Sequence, residues 1–340
     1  MARIVVRPFE TSDLEAAAAL LATRQKRDRL RFERLEPGLE SHGVCAELLA
    51  PLASTAHTSG VVALRDGRVA AFLFGEKMTF APYEFLSMFI PPHSISIPVQ
   101  GHAAEPGEEL FALYRAMYGE LAGQWVRQGF FVHQTHISAS DAELQEAWVA
   151  LGFGRTMTAA IRGTEPVAAG ALRAGVEIHR ASEEDLDVVM ALGDTLFKFH
   201  SQSPMFRPFL TEPQAAAREF HRTMLSNPAN GYFVAYERDR PVAMQTYAVP
   251  GFTPPIAPHE RTVYLFEGVA EPDMRGGGLG RALLDRGMAW AREQGHEHCT
   301  LHFASGNPSG GPFWLGQGFQ PFEYTMARHV DERVAWANGW

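Results

Sequence analysis

The stretch VYLFEGVAEPDMRGGGLGRALL, residues 263–284, decides the fold. Its apolar first part predicts a strand over Val263–Ala270, and its last part begins the helical pattern that we expect from Ala282. Four glycines lie between them, within the six residues 275–280. Because glycine has no Cβ, consecutive N–H groups can converge there on an anion at the helix N-terminus. The stretch therefore predicts a pyrophosphate-binding turn in an α/β sheet.

The two most common phosphate-binding motifs do not fit this turn. A dinucleotide fingerprint, G-x-G-x-x-G, counted from Gly276 would need glycine where the chain has Arg281. A P-loop ends in Gly-Lys-Ser/Thr, whereas Gly280 is followed by Arg-Ala-Leu. The context of strand, turn and helix must therefore identify the site.

The chain contains an internal repeat at an offset of 166 residues. The segment His302–Phe319 aligns without a gap with His136–Phe153, including a shared Trp and a shared Gly-Phe pair. The starts also match, with a small difference in length, as Ile178–Leu186 against Ile4–Leu14. Arg281-Ala282 also falls on Arg115-Ala116 at this offset, and three matched blocks in the same order indicate two copies of one structural unit.

Each copy has the same predicted plan, in which strands alternate with helices around an α/β sheet. The Gly-, Ala- and Pro-rich stretch Gly163–Gly175 predicts a linker. We therefore predict two domains, at residues 1–165 and 172–340.

The stretch Glu267–Arg281 resembles the signature of the GCN5-related N-acetyltransferases (GNAT), Arg/Gln-x-x-Gly-x-Gly/Ala after an extended strand. Three residues fill its core positions: Arg275, Gly278 and Gly280. Asn307 and Pro312–Phe319 resemble the second family block, an Asn followed by a short helix ending in Gly-Phe. The resemblance implies two tandem GNAT-like domains, each with a mixed, mostly antiparallel central sheet flanked by helices.

The same resemblance implies acetyl-CoA as cosubstrate and a set of cofactor-binding residues. Backbone amides of the turn would bind the coenzyme A pyrophosphate: Arg275, Gly276, Gly277, Gly278, Leu279, Gly280 and Arg281. Main chain at Val269 and Ala270 would pair with the pantetheine arm like another strand, which requires a local splay of the sheet. Asn307 and Trp314 complete the expected set.

The chemistry requires a base for the amine, and Glu267 on the family strand is the candidate. The alternative is a carboxylate that only orients the substrate. Trp314 occupies the position where the family often has a Tyr acid, and an indole N–H is not a proton-transfer acid. Tyr324 and His302 are the candidate substitutes. Because a thiol has a pKa of about 8.5, the coenzyme A thiolate can also leave the thioester without being fully protonated.

The first copy has lost the glycine turn. At the repeat offset, Glu109 lies opposite Arg275 and Tyr114 lies opposite Gly280. Carboxylates at this helix start, including Glu108, would repel a pyrophosphate. We therefore expect residues 1–165 to form a degenerate domain that lacks the pyrophosphate loop, and residues 172–340 to be the active domain.

Two further features concern metal and acceptor. The cluster His296, His298, Cys299 and His302 could be considered as a metal site, but strand alternation separates the cysteine from two of the histidines, so no metal is predicted. The acceptor wall is expected at Phe197–Phe209 and at the Pro-rich loop Val249–Pro258. The first of these mixes aromatic residues with Lys198 and Arg207, which fits either an amine that carries an anionic group or an apolar lid.

Composition excludes several classes of protein. The chain has 340 residues, 46% of them hydrophobic, a net charge of −9 and two cysteines. It has neither a basic patch for nucleic acid nor an apolar run of membrane-spanning length. We expect a cytoplasmic monomer or homodimer with a small-molecule amine acceptor and no nucleic-acid or membrane partner.

These expectations combine into one function, an acetyl-CoA-dependent N-acetyltransferase in which a small amine attacks directly in a ternary complex. The alternative is a non-catalytic acyl-CoA-binding or sensing protein.

Overall fold

The computed structural model describes residues 4–107, 110–168, 172, 174–249 and 251–337. Their strands are β1 (Val5–Pro8), β2 (Thr58–Arg65), β3 (Arg68–Met78), β4 (Ser94–Ile97), β5 (His102–Ala104), β6 (Val132–Ser138), β7 (Gly154–Gly163), β8 (Val176–Arg180), β9 (Gly231–Glu237), β10 (Arg240–Ala248), β11 (Thr262–Ala270), β12 (His298–Ala304) and β13 (Gln320–His329). Their α-helices are α1 (Leu14–Arg31), α2 (His42–Ser54), α3 (Leu110–Arg127), α4 (Ala142–Ala150), α5 (Leu186–His200), α6 (Gln214–Ser226), α7 (Leu279–Glu293), α8 (Gly310–Gly316) and α9 (Arg333–Ala337).

All these strands belong to one continuous sheet with the order β1-β2-β3-β4-β6-β13-β7-β12-β11-β10-β9-β8, and β5 pairs with β3. Among the described pairs, β4 with β6 and β11 with β12 are parallel, and the others are antiparallel. The predicted α/β class with a mixed, mostly antiparallel sheet is confirmed.

The strand predicted over residues 263–270 is confirmed as β11. The helix after the glycines begins at Leu279, three residues before the predicted Ala282. Gly278 has a φ of 83° and serves as the N-cap of α7, so the helix starts inside the glycine turn. The turn and the helix N-terminus are therefore one structural element.

The two halves of the chain exchange their last strands. Strand β7 ends the first half but pairs with β12 of the second, and β13 ends the second half but pairs with β6 of the first. The two exchanged strands also pair with each other, with Thr158 opposite Tyr324, its own equivalent at the repeat offset. A pseudo-two-fold axis therefore passes between β7 and β13. The division at residues 165 and 172 stays a prediction about the linear chain, because the halves interlock in space.

Two arginines at equivalent positions of the repeat hold the exchanged strands in place by hydrogen bonds. Arg162 of β7 donates from Nη1 to the carbonyl of Gln317 at 2.8 Å. Arg328 of β13 donates from Nη1 to the carbonyl of Leu151 at 3.0 Å. Donors and acceptors are each separated by the repeat offset, so the same contact is made twice across the pseudo-two-fold axis.

The cores of the two halves reflect the same exchange. Met326 of β13 is buried among first-half side chains that include Trp125 and Trp148. Ala160 of β7 is buried among second-half side chains that include Leu284 of α7. No helix in the described part of the chain has the length and apolar character needed to cross a membrane.

Candidate active site

A gap in the sheet forms the site. Strands β11 and β12 pair from Thr262 opposite His298 to Leu265 opposite Leu301, and no further. Both strands continue beyond this point, and the β10–β11 register shifts at Thr246/Tyr247 as in a β-bulge. The strands therefore splay apart and leave a cleft of about 410 Å³ between them.

The splay brings most of the predicted cofactor-binding residues to one cleft. The lining includes Val269, Ala270, Arg275, Gly276, Gly278, Leu279, Gly280, Arg281, Asn307 and Trp314. Gly277 lies in the same turn but does not line the cleft. Beyond Leu265 the edge of β11 is not paired with β12. A pantetheine arm could pair with this open edge like another strand.

The glycine turn has the geometry of an anion site. Gly276 and Gly278 have φ of 79° and 83°, a conformation that side chains disfavour. The N–H groups of Gly276, Gly277 and Gly278 donate to no acceptor among the described residues. They adjoin the first turn of α7, where the N–H groups of Leu279 and Gly280 also have no acceptor among the described residues, whereas the Arg281 N–H donates to the Gly278 carbonyl at 3.1 Å. This chain can therefore offer a pyrophosphate several free donors at the positive end of a helix dipole.

Two further glycines keep the cleft open. A Cβ on Gly268 would lie 2.8 Å from the Trp314 ring, and a Cβ on Gly280 would lie 3.2 Å from the Phe313 ring. Gln245 donates to the carbonyl of Gly280 at 3.0 Å and so fixes the start of the helix.

Polar side chains hold the two ends of the cleft. Arg275 donates from Nε to the carbonyl of Ala270 at 3.1 Å and stacks over the Phe199 ring. Asn307 accepts from the N–H groups of Ser309 and Gly310 at 3.0 and 2.8 Å. Because the Asn307 carbonyl oxygen caps α8, its amide nitrogen is the atom that remains for a ligand.

Glu267 is the acidic residue of the cleft lining, and its side chain is buried. Neither carboxylate oxygen has a hydrogen-bond partner among the described residues. Burial raises the pKa of Glu267 to about 8. A buried carboxyl without internal partners is costly, and such groups concentrate at functional sites.

His221 of α6 faces this carboxyl, with Nε2 3.8 Å from Glu267 Oε1. A hydrogen bond of 3.2 Å joins His221 Nδ1 to the Tyr232 hydroxyl. Burial lowers the pKa of His221 to about 4, so the ring is neutral near pH 7. The sequence analysis missed this pair, because no local pattern connects α6 with β9 and β11.

His302 also lines the cleft, and its Nδ1 lies 3.0 Å from the Tyr264 hydroxyl. Burial and the nearby His136 lower the pKa of His302 to about 4. Within the described residues, no three His, Cys, Asp or Glu side chains form a group that could hold a metal ion.

Tyr324, the other candidate acid, does not line the cleft. The strand exchange carries β13 into the first half's sheet, and β7 lies between it and β12. Tyr324 packs against the first half's core, with the Arg155 guanidinium 4.5 Å from its ring centroid. The sequence alone gave no indication that the last strands are exchanged.

Side chains fill the equivalent place in the first half. His102 and Tyr114 occupy the positions of Gly268 and Gly280 at the repeat offset. The Tyr114 hydroxyl lies 2.8 Å from His102 Nδ1, and His102 Nε2 lies 2.8 Å from the carbonyl of His136 on β6. The filling role of His102 was not predicted. The carboxylates of Glu108 and Glu109 lie outside the described residues.

Comparisons with known proteins place these features in context. Residues 196–319 match the model of the acetyltransferase (GNAT) family. A search of curated protein sequences finds no significant match.

Solved structures match over nearly the whole chain. A GCN5-related N-acetyltransferase from Sphaerobacter thermophilus has a TM-score of 0.61 at 14% identity, covering 96% of this chain and 95% of that one. A tandem GNAT protein from the clavulanic acid biosynthesis pathway, solved without AcCoA, has a TM-score of 0.50 at 12% identity, covering 97% and 99%.

A third likeness involves part of a larger protein. The glucosamine N-acetyltransferase region of a fungal multi-domain GH3 beta-N-acetylglucosaminidase has a TM-score of 0.54 at 10% identity, covering 96% of this chain and 38% of that one. At identities of 10–14%, these matches show that the proteins share a fold. This shared fold includes the tandem arrangement, because the match to the tandem GNAT protein covers 97% of this chain.

Proposed function

Because residues 196–319 match the acetyltransferase (GNAT) family model and the chain shares its fold with a tandem GNAT protein, we propose that it transfers an acetyl group from acetyl-CoA to the amine of a small molecule. We assign the reaction to residues 172–340. Residues 1–165 are proposed to be a degenerate copy that supports this site and completes its sheet.

One observation carries this proposal, namely that the splayed cleft joins free glycine N–H groups at one end to the buried Glu267 carboxyl. The N–H groups of the turn would hold the pyrophosphate, and the open edge of β11 at Val269 and Ala270 would hold the pantetheine. When bound, acetyl-CoA supplies an activated acetyl group as a thioester. The amide of Asn307 and the ring of Trp314 would contact the same arm.

Glu267 is proposed to be the base. Only the ionised form of Glu267 can accept a proton, and with a pKa of about 8 this form is the minor one at pH 7 and the major one above pH 8. The raised pKa brings this base closer to the pKa of an amine, which favours the proton transfer. The reaction forms one C–N bond and breaks the C–S bond, and the proton released from nitrogen passes to Glu267 directly or through water. The His221 ring, held by Tyr232, lies 3.8 Å from Glu267 Oε1, too far for a hydrogen bond, and being neutral it adds no charge beside this carboxyl.

The departing sulfur needs no strong acid, because a thiolate is a stable leaving group near neutral pH. We propose that a proton reaches it from water or from the pair of Tyr264 and His302. This replaces the Tyr acid that the family often has at the position of Trp314. A net charge of −9 argues against a nucleic-acid partner. We further propose a cytoplasmic monomer or homodimer.

A panel of small amines tests the function, with release of the coenzyme A thiol as the readout. The parent protein should show amine-stimulated release. Glu267→Gln should reduce turnover by about 100-fold or more, while acetyl-CoA affinity stays within about twofold. Saturable acetyl-CoA binding without stimulation by any amine would instead indicate a sensor.

A further inference from the structure

Six phenylalanines form an apolar surface beside the cleft, which we call the aromatic wall: Phe85, Phe89, Phe197, Phe220, Phe252 and Phe266. The Phe85 ring stacks on Phe220 at 4.3 Å, and the Phe89 ring lies 5.9 Å from Phe266. Phe266 lines the cleft and directly precedes Glu267. Because Phe85 and Phe89 come from the loop between β3 and β4, the first half supplies part of the wall.

Arg207 borders the same place. Its Nη2 donates to the carbonyl of Phe89 at 3.0 Å, and its Nη1 lies 2.7 Å from Met157 Sδ. Met157 is on β7, opposite Ala304 of β12. The guanidinium is therefore held between the aromatic wall and the strands that border the cleft.

His200 connects Arg207 to the cleft itself. The Arg207 backbone N–H donates to the carbonyl of His200 at 2.9 Å, and His200 lines the cleft. Burial, together with the Arg207 charge, lowers the pKa of His200 to about 4. His200 is therefore neutral near pH 7 and cannot add to the positive charge of Arg207.

The charge of Arg207 lacks an internal partner. It makes no ion pair with any residue in the described ranges, although its side chain is half-buried and burial lowers its pKa. Burying an unpaired charge is unfavourable, and the Met157 thioether is only a weak acceptor. A planar guanidinium with free N–H groups matches a carboxylate, which it can bind through two parallel hydrogen bonds.

We propose that the acceptor is an amine that also carries a carboxylate and an aromatic body, with Arg207 binding the carboxylate and the aromatic wall holding the body. The proposal rests on the proposed acetyl transfer, because it defines the acceptor of that reaction. An alternative role for Arg207 is purely structural, tying the loop that bears Phe89 to the second half.

Matched acceptors distinguish these roles. Phenylalanine, tyrosine and 3-amino-3-phenylpropanoate are each compared with their carboxamides by kcat/KM for thiol release. The parent should prefer the acid by about tenfold or more in at least one pair, the effect expected of hydrogen bonds to a charged group. Arg207→Met should lower kcat/KM for that acid by about tenfold or more and leave the amide within about twofold.

Arg222→Met is the matched control, because Arg222 is an exposed arginine of α6 that is already paired with Glu219. It should leave the preference unchanged. Acetyl-CoA affinity reports whether Arg207→Met folds normally. Equal kcat/KM for acid and amide in every pair, or equal losses for both in Arg207→Met, would overturn the carboxylate site in favour of a structural role.

Binding of the N-acetylated acids and amides in the presence of coenzyme A provides a readout that needs no turnover. Arg207-dependent preference for the acids supports the site even if no amine stimulates thiol release, a result that would contradict the proposed function alone. Absence of any preference in binding, with amine turnover present, would overturn the carboxylate site alone.

Discussion

The hydroxyl of Tyr114 lies 2.8 Å from Nδ1 of His102, and these two side chains fill, in the first half, the positions that Gly280 and Gly268 keep open in the second. His102 also reaches the carbonyl of His136 across the gap to β6. The repeat therefore contains one sheet gap that is filled from within and one that is open for a ligand.

Glu267 should make stability depend on pH. Its folded pKa of about 8 lies above the ordinary value of 4.5, so the folded state holds its proton more tightly than the unfolded state. This stabilisation is complete below pH 4.5 and is lost as the pH rises through about 8. Glu267→Gln stays neutral and should therefore gain stability relative to the parent over this range.

The measurement is thermal or denaturant unfolding of both proteins between pH 5 and 9. Since one pKa unit corresponds to about 1.4 kcal/mol, the relative gain at pH 9 should be on the order of a few kcal/mol. Glu293→Gln, on the exposed face of α7, should show no such trend. A parent that loses no stability relative to Glu267→Gln as the pH rises would show that Glu267 ionises freely when buried.

Tyr324 should be dispensable for catalysis, because its ring packs against the first half's core rather than in the cleft. Tyr324→Phe should retain kcat within about twofold. His302→Gln, which alters the pair with Tyr264, should lower kcat by about tenfold, less than the roughly 100-fold or more typical of general acid catalysis, because a thiolate can also leave unprotonated. A large loss of kcat in Tyr324→Phe with normal acetyl-CoA affinity would indicate that Tyr324 is the general acid toward the leaving thiolate.

The strand exchange should make the halves depend on each other. Fragments 1–165 and 172–340, produced separately, should each expose an unpaired sheet edge and fail to unfold cooperatively. Produced together, they should associate and recover acetyl-CoA binding. Circular dichroism and size-exclusion chromatography provide the readout. A monomeric, cooperatively folded 172–340 fragment would mean that β13 can return to its own half.

Local patterns in the sequence were sufficient for much of the fold. The apolar run over 263–270, the glycine turn and the following apolar helix stripe depend on neighbouring residues, and the structure has them in this order. The repeat also identified Tyr114 as the counterpart of Gly280. These features are local, or are copied within one chain, so one sequence contains the information.

Contacts between distant segments could not be predicted in this way. Strand β13 pairs with β6 of the other half, and no local pattern indicates this long-range pairing, so the sequence placed Tyr324 in the wrong half. His221 reaches Glu267 only through the packing of α6 on the sheet. Phe85 and Phe89 join the aromatic wall beside the cleft only because the first half packs there.

Calorimetric titration with acetyl-CoA tests the central claim most directly, using the parent, Gly280→Tyr and Tyr114→Phe. The parent and Tyr114→Phe should each bind one acetyl-CoA per chain with similar affinity, because the first half has no open gap. Gly280→Tyr, which copies the first half's residue into the second, should weaken binding by about 100-fold or more, equivalent to about 2.7 kcal/mol. Two sites per chain, or affinity in Gly280→Tyr within about tenfold of the parent, would contradict the account.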